Sequence, residues 1–112
     1  MCDLNPPQTV PAPVGLQAPQ DCSTMADLRV QIDHLDQTLV KLLVTRASYI
    51  DRAIELKPGE GLPARIPARV EDVVTKVRKE AVLQELDPAL AEDLWRRLID
   101  WSIDREERVI GT

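Results

Sequence analysis

The feature that most limits the possible folds is an uninterrupted helical segment that starts near Ser23 and ends before Pro58. Ser23 or Thr24 can cap such a helix, and Asp27 suits the positive end of its dipole. At 1.5 Å per residue, a helix of about 33 residues is about 50 Å long. A compact globule of this mass has a radius of gyration of only about 12 Å. We therefore expect another chain to cover part of this helix.

The rest of the sequence predicts two shorter helices. Residues 57–67 contain three prolines and two glycines, which predicts a loop, and Pro67 suits the first turn of a second helix that ends near Leu86. Asp87 and Pro88 then read as the N-cap and first residue of a third helix that stops at Gly111. No strand pattern competes. The predicted fold is an all-α, three-helix chain with one long N-terminal helix, forming an intertwined homodimer.

Composition predicts one helical domain preceded by an arm. With 112 residues, 44% hydrophobic content and no Phe, the chain has material for one aliphatic core. Residues 1–22 hold five of the nine prolines and no Lys or Arg, so we predict a Pro-rich flexible arm there and a folded domain over residues 23–112. The alternative for the arm is a short docking peptide for another protein.

Charge and cysteine content argue against several classes of protein. The net charge of −5 makes nucleic acid an unfavourable partner. Cys2 and Cys22 have neither metal-ligand spacing nor a disulfide framework, so we expect reduced thiols and no metal site. The sequence shows neither a signal peptide nor the ~20 apolar residues of a membrane span. We expect a cytoplasmic protein with no membrane association.

Arg46 interrupts the apolar stripe of the long helix. The other residues of this stripe are Leu28, Ile32, Leu35, Leu39, Leu42, Tyr49, Ala53 and Leu56. A cation in a core stripe is costly unless an anion meets it, because Arg does not escape by losing its proton. The partner is either a carboxylate of the protein, such as Glu106, or a carboxylate of a ligand.

Two further cations on the long helix can be placed relative to Arg46. Lys57 follows by 57 − 46 = 11 residues, which is about 20° of rotation, so both side chains can enter one pocket. Arg29 precedes by 46 − 29 = 17 residues and lies about 100° away and about 25 Å along the axis. Arg29 reaches the same pocket only from a partner's helix. The simpler alternatives are a surface pair of Arg29 with Asp33 and a dipole contact for Lys57.

The third helix brings polar groups onto a stripe that begins as apolar. Ile99, Ser102 and Glu106 follow at steps of three and four, so a hydroxyl and a carboxyl can face inward. Arg69, near the start of the second helix, is close enough in sequence to the loop to join them. A cavity that combines two or three cations with a hydroxyl and a carboxyl suits a small dianion as its ligand. The alternative for Ser102 and Glu106 is an ordinary exposed face beside Arg105.

These positions also carry a family resemblance. The stretch ADLRVQIDHLDQTLVKLLVTRASYIDRAIELK, with Arg29, Arg46 and Lys57 at separations of 17 and 11, resembles the all-helical chorismate mutase family. The match continues to SIDREE at residues 102–107 and covers about residues 22–110. The ordered set Arg, Arg, Lys, Arg, Ser, Glu is fairly specific, whereas one Arg on a helix means little.

The resemblance implies a homodimer of interlocked chains with two active sites and no cofactor. Each site would combine Arg29 of one subunit with groups of the other, namely Arg46, Lys57, Arg69, Ser102 and Glu106. The substrate would be chorismate, rearranged to prephenate in a concerted step of aromatic amino-acid biosynthesis. Arg29 and Arg46 would hold the two substrate carboxylates, and Lys57 and Glu106 would flank the ether oxygen.

The sequence departs from the mutase pattern at the loop. Ile66 and Val70 stand where mutases often have carboxylates, and together with PQDC at residues 19–22 they resemble the isochorismate pyruvate lyases, a branch of the same fold that forms salicylate and pyruvate. Ser102 matches the mutase hydroxyl position, so the mutase is the first prediction and the lyase the second. Glu106 stands where many relatives have Gln and must carry a proton to donate. A non-catalytic helical dimer is the alternative of another class.

Overall fold

The described chain is all-helical. A computed structural model describes residues 15–111, and these contain no strand. The helices are α1 Met25–Leu56, α2 Pro67–Leu83 and α3 Pro88–Ile110, with short 3₁₀ helices at Pro19–Asp21 and Pro58–Glu60. Among residues 15–111, no helix combines the length and apolar character that crossing a membrane requires. The prediction of a three-helix, all-α chain is confirmed.

Two helix starts agree with the sequence-based predictions. At the start of α1, the Thr24 hydroxyl oxygen accepts a hydrogen bond from the Asp27 N–H at 3.0 Å. At the start of α3, the Asp87 carboxylate accepts from the Ala89 N–H at 2.9 Å, and Pro88 occupies the first turn. Both helices therefore begin where a side chain satisfies a backbone donor that the helix itself leaves unpaired.

The second helix ends three residues before the predicted end near Leu86, at Leu83. The Leu86 N–H donates to the Ala81 carbonyl at 2.8 Å, and the Glu85 N–H donates to the Val82 carbonyl at 3.2 Å. Glu85 takes a left-handed conformation with a φ of 64°. This pair of bonds is a Schellman cap, which closes the helix with backbone groups. The prediction was wrong here because the left-handed residue is Glu, which does not mark a helix end as Gly does.

The chain divides into two compact units, Met1–Thr45 and Arg46–Thr112. In the first unit, most of the predicted arm lies outside the described residues. Its last part includes the 3₁₀ helix Pro19–Asp21, and the Gln17 N–H donates to Gln31 Oε1 on α1 at 2.9 Å. This hydrogen bond between Gln17 and Gln31 therefore crosses the predicted boundary between the arm and the domain.

The described part of the first unit has no buried residue. Its portion of α1 nevertheless carries large apolar side chains, including Ile32, Leu35, Leu39 and Leu42, which are 46%, 37%, 50% and 60% exposed. These four residues are called the α1 apolar face below. So large an apolar surface on one helix is typical of a face that another chain covers.

The second unit has a small core between α2 and α3. Ala64 of the loop, Val74 of α2, and Ile99 and Ile103 of α3 form this buried cluster. Helix α1 has no buried residue along its length, so its part of this unit lies outside the core. Direct apolar packing therefore joins α2 to α3.

Candidate functional site

The second unit contains a cavity of about 310 Å³ that is lined by residues of α1, the following loop, α2 and α3. Its polar lining residues are Arg46, Tyr49, Lys57, Arg69, Ser102 and Glu106. Its apolar lining residues are Ile50, Ala53, Ile66, Val70, Val73, Ile99 and Ile103. This volume falls at the small end of the range for small-molecule sites. Five of the six predicted site residues thus meet at one cavity.

Arg46 enters the cavity from α1 and is half-buried. Its Nη1 donates to Ser102 Oγ at 3.1 Å, and the Ser102 hydroxyl donates to the Leu98 carbonyl at 2.8 Å. Burial, and then the positive charge of Arg69, lower the pKa of Arg46. Among residues 15–111, no carboxylate forms an ion pair with Arg46. The guanidinium is therefore held in the cavity by a neutral hydroxyl, which leaves its charge available to an anion.

Lys57 and Glu106 form a buried ion pair. Lys57 Nζ lies 2.6 Å from Glu106 Oε1 and also donates to the Ala64 carbonyl at 2.7 Å. Ser102 and Glu106 are only 3% and 4% exposed. The alternative of an ordinary exposed face for these two residues is therefore wrong. The proposed pairing of Arg46 with Glu106 is wrong as well, because the carboxylate pairs with Lys57.

Arg69 lies at the exposed side of the cavity, on the first turn of α2. Its Nη1 donates to Asp72 Oδ2 at 2.8 Å, and Asp72 also pairs with Lys76 at 3.0 Å. Hydrogen bonds from Lys76 and Arg69 lower the pKa of the Asp72 carboxyl. The Arg69 side chain is 63% exposed, so it can exchange this local partner for a ligand at little cost.

The charged groups lining the cavity leave a positive excess. Arg46, Lys57 and Arg69 contribute three positive charges and Glu106 one negative charge, so 3 − 1 leaves two. A dianion would balance this excess, as the sequence predicted for the ligand. Within residues 15–111, no group of three or more His, Cys, Asp or Glu side chains is arranged to hold a metal ion.

Arg29 is not among the residues that line this cavity. It lies in the first unit, on α1, and its side chain is exposed. The structure therefore leaves its role in substrate binding a prediction, which depends on a second copy of the chain.

Two parts of the site were not predicted from the sequence. The Ala64 carbonyl that accepts from Lys57 is a backbone group, and no residue type marks it. The cavity also has an apolar wall formed by Ile66, Val70 and Val73. The sequence marks Ile66 and Val70, but it does not distinguish Val73 from the other apolar residues of the second helix. Val73 follows Val70 by three residues on α2, a spacing that puts both side chains on one face.

The fold and cavity together define an all-helical protein with a cationic site of ligand size. Comparison with known families gives a match of residues 28–107 to chorismate mutase type II. An isochorismate pyruvate lyase of Pseudomonas aeruginosa is 33% identical over 89 residues, which are 79% of this chain and 86% of that protein. A chorismate mutase of Methanocaldococcus jannaschii is 26% identical over 76 residues, which are 68% of this chain and 77% of that protein.

A T-protein of Enterobacter agglomerans is 37% identical over 79 residues, which are 70% of this chain but only 21% of that protein. The region that matches the family includes more than half of the chain and every residue that lines the cavity. This chain belongs to the chorismate mutase type II family.

Proposed function

We propose that this protein is a chorismate mutase, which rearranges chorismate to prephenate without a cofactor. The observation that carries the proposal is the cavity in which Arg46, Lys57 and Arg69 meet Ser102 and Glu106, with two surplus positive charges. Chorismate is a small dianion, and its charge matches this excess. The family match supports a substrate of the chorismate type.

In this proposal the protein accelerates the reaction by orientation and electrostatics. The rearrangement breaks a C–O bond and forms a C–C bond in one step, and negative charge develops on the departing ether oxygen. Arginine forks that hold both carboxylates keep the flexible substrate folded, with its reacting carbons close together. A donor aimed at the ether oxygen stabilises the transition state more than the substrate.

Lys57 is the donor that the geometry favours for the ether oxygen. An ammonium group has three N–H bonds. Two of them go to Ala64 and Glu106, which fix the position of Nζ, and the third stays available to a ligand in the cavity. Because these partners hold Nζ before the substrate arrives, little reorganisation is needed during the reaction.

Glu106 can take two roles, which depend on its proton. As an anion it accepts from Lys57 and fixes that donor, whereas with a proton it can also donate to the ether oxygen.

We further propose that a homodimer completes the site with Arg29 from the partner. The α1 apolar face supports a second copy as its cover, because four large apolar side chains at helical spacing match the same stripe on another α1. Light scattering coupled to gel filtration measures the mass directly. A single-chain mass at micromolar concentration would contradict the dimer.

Mixing two inactive variants tests the donation of Arg29. In a heterodimer of Arg29→Ala and Arg46→Ala chains, one site carries both changes and the other carries neither. Random exchange of equal amounts then restores about a quarter of the wild-type activity, because half of the dimers have one intact site of two. If Arg29 serves the site of its own chain, mixing restores nothing.

The second candidate is an isochorismate pyruvate lyase that forms salicylate and pyruvate. Two observations favour it: the 33% identity with the P. aeruginosa protein over 86% of that protein's length, and the apolar wall at Ile66 and Val70. That wall offers no polar partner to a ring hydroxyl placed against it.

One assay separates the two reactions. Purified protein is incubated with chorismate, followed by its loss of absorbance and by prephenate formation, and separately with isochorismate, followed by salicylate fluorescence. Predominant prephenate formation supports the mutase, and predominant salicylate formation supports the lyase. Inactivity on both would favour the non-catalytic helical dimer. In that case a small dianionic mimic of the transition state would not raise the unfolding temperature.

A further inference from the structure

The geometry points to Asp51 and Arg105 as a positioning pair that keeps α1 at a fixed distance from α3 across the cavity. This inference rests on the proposed function, because it assigns the pair a role in that reaction. Neither residue is among those that line the cavity. They would act through Arg46 and Lys57, whose side chains α1 brings to the ligand.

The second part of α1, residues 46–56, has few apolar attachments to α2 and α3. Helices α2 and α3 share a buried apolar core, but α1 has no buried residue. Polar links of described residues connect its second part, and Lys57 directly after it, with α3: Arg46 with Ser102, Lys57 with Glu106, and Asp51 with Arg105. Polar side chains therefore contribute much of what holds α1 beside the cavity.

Two of these three links involve groups that the proposed reaction uses. A dianion that binds Arg46 and Lys57 uses further donors of the same two groups, so the geometry of both links depends in part on the ligand. The link between Asp51 and Arg105 lies outside the cavity and shares no donor with a ligand there. Its geometry is therefore independent of whether the substrate is bound.

The geometry of the link between Asp51 and Arg105 suits it to hold α1 beside α3. Arg105 Nε and Nη2 donate to the two carboxylate oxygens of Asp51 at 2.6 and 3.2 Å, a two-pronged contact that fixes direction as well as distance. The guanidinium also lies over the Trp101 ring, 5.5 Å from its centroid. Hydrogen bonding from Arg105 lowers the pKa of Asp51, so the pair stays charged around neutral pH.

Asp51 lies between the two site cations in sequence. It follows Arg46 by five residues and precedes Lys57 by six, so it holds the helix midway between the two site cations. Loss of the link would let this part of α1 move away from α3. Both cations would then be misplaced together, and a small displacement of positioning groups already slows an oriented reaction.

Two single variants distinguish positioning from simple attraction of the substrate. Asp51→Asn adds one positive charge to the net charge and Arg105→Gln removes one, so long-range attraction of a dianion would change KM in opposite directions. Positioning predicts that both variants lower kcat/KM, each by about five-fold, because either change breaks the same link. The double variant with Asp51→Arg and Arg105→Asp restores the pair and recovers at least half of the lost activity.

Arg52→Gln is the matched control. Arg52 pairs with Glu55 at 2.8 Å on the same helix, one residue from Asp51, and this pair connects nothing to α3. Its loss leaves kcat/KM within two-fold of the wild type, about the measurement scatter for an exposed pair. Glu71→Gln, which removes a pair between α2 and α3, is the second control.

Hydrogen exchange of the unliganded protein provides a readout that does not depend on activity. We expect Asp51→Asn and Arg105→Gln to speed exchange of the amides at residues 46–56 about five-fold, with α2 and α3 unchanged. If the wild type is inactive on both substrates while this local effect appears, the proposed function fails but the link between helices stands. Opposite changes in KM, or unchanged kcat/KM in an active protein, would overturn the positioning role. Unchanged exchange at residues 46–56 would overturn the link itself.

Discussion

The buried pair of Lys57 and Glu106 predicts a large asymmetry between two substitutions. Glu106 is only 4% exposed, and its carboxylate lies 2.6 Å from Lys57 Nζ. Lys57→Met removes the cation and leaves a buried anion without its partner. Glu106→Gln keeps an amide oxygen that can still accept from Lys57, and it removes the charge that would be costly to leave alone.

The size of each effect follows from the contacts. Breaking a buried pair by removing one partner costs about 3–5 kcal/mol. The Lys57 side chain is 18% exposed, so some water reaches the pair, and we take the lower end, about 3 kcal/mol. Glu106→Gln loses only the ionic part of one hydrogen bond, about 1 kcal/mol. For a domain of this size, these values correspond to unfolding temperatures lower by about 12–24 °C and about 4–8 °C.

Thermal unfolding at one fixed protein concentration measures both variants, because association makes the unfolding temperature depend on concentration. The double variant with Lys57→Met and Glu106→Gln supplies the control, since it has no buried charge at this position. We expect it to be more stable than Lys57→Met alone. Equal losses in the two single variants, or a double variant less stable than Lys57→Met, would refute this reasoning.

Three further predictions concern the cations, the reaction and acid stability. Arg46→Leu lowers kcat/KM about 10³-fold but changes the unfolding temperature by only a few degrees, as measured by kinetics and thermal unfolding, because it removes a cation that Arg69 repels. Glu106→Gln gives this position an amide that always carries N–H donors, so we expect turnover to be kept, and a loss of about ten-fold or more in kcat would exclude Glu106 as a donor to the ether oxygen. Hydrogen bonding by Arg96 holds the pKa of Glu71 below the ordinary 4.5, so the stability that this pair contributes is present above pH 4.5 and disappears as pH falls through the lowered pKa. Glu71→Gln should therefore reduce the fall in unfolding temperature on acidification, and an identical fall would contradict it.

Features set by one helix could be predicted from the sequence, and features set by distant contacts could not. Arg46 lies on α1 and Lys57 directly follows its last residue, eleven residues later, so helix geometry alone predicted that they share one face, and both line the cavity. The partner of Arg46 depended on where α3 packs, and it proved to be Ser102, 56 residues away. Periodicity gives no information on such a pairing. The choice of a hydroxyl over the Glu106 carboxylate is a property of the packed unit.

Two other features could not be predicted from the sequence either, because they depend on contacts that no residue type marks. Lys57 donates to the Ala64 carbonyl, and every residue except proline has the same backbone groups. Asp51 and Arg105 lie 54 residues apart, each within ordinary charged helix surface, so nothing local distinguishes them from solvated neighbours. Resemblance to a family added the set of site residues, but it gave no account of what holds α1 in place.

The surplus of positive charge in the cavity also affects how this protein should be handled. A site whose lining residues carry a net charge of +2 attracts small dianions, and sulfate, phosphate or a dicarboxylic buffer can occupy it before a substrate does. Such a buffer raises the unfolding temperature by mass action and raises the apparent KM by competition. A preparation that looks most stable in a screen of buffers can therefore look least active in an assay. Chloride salts of monovalent buffers keep the two properties separate.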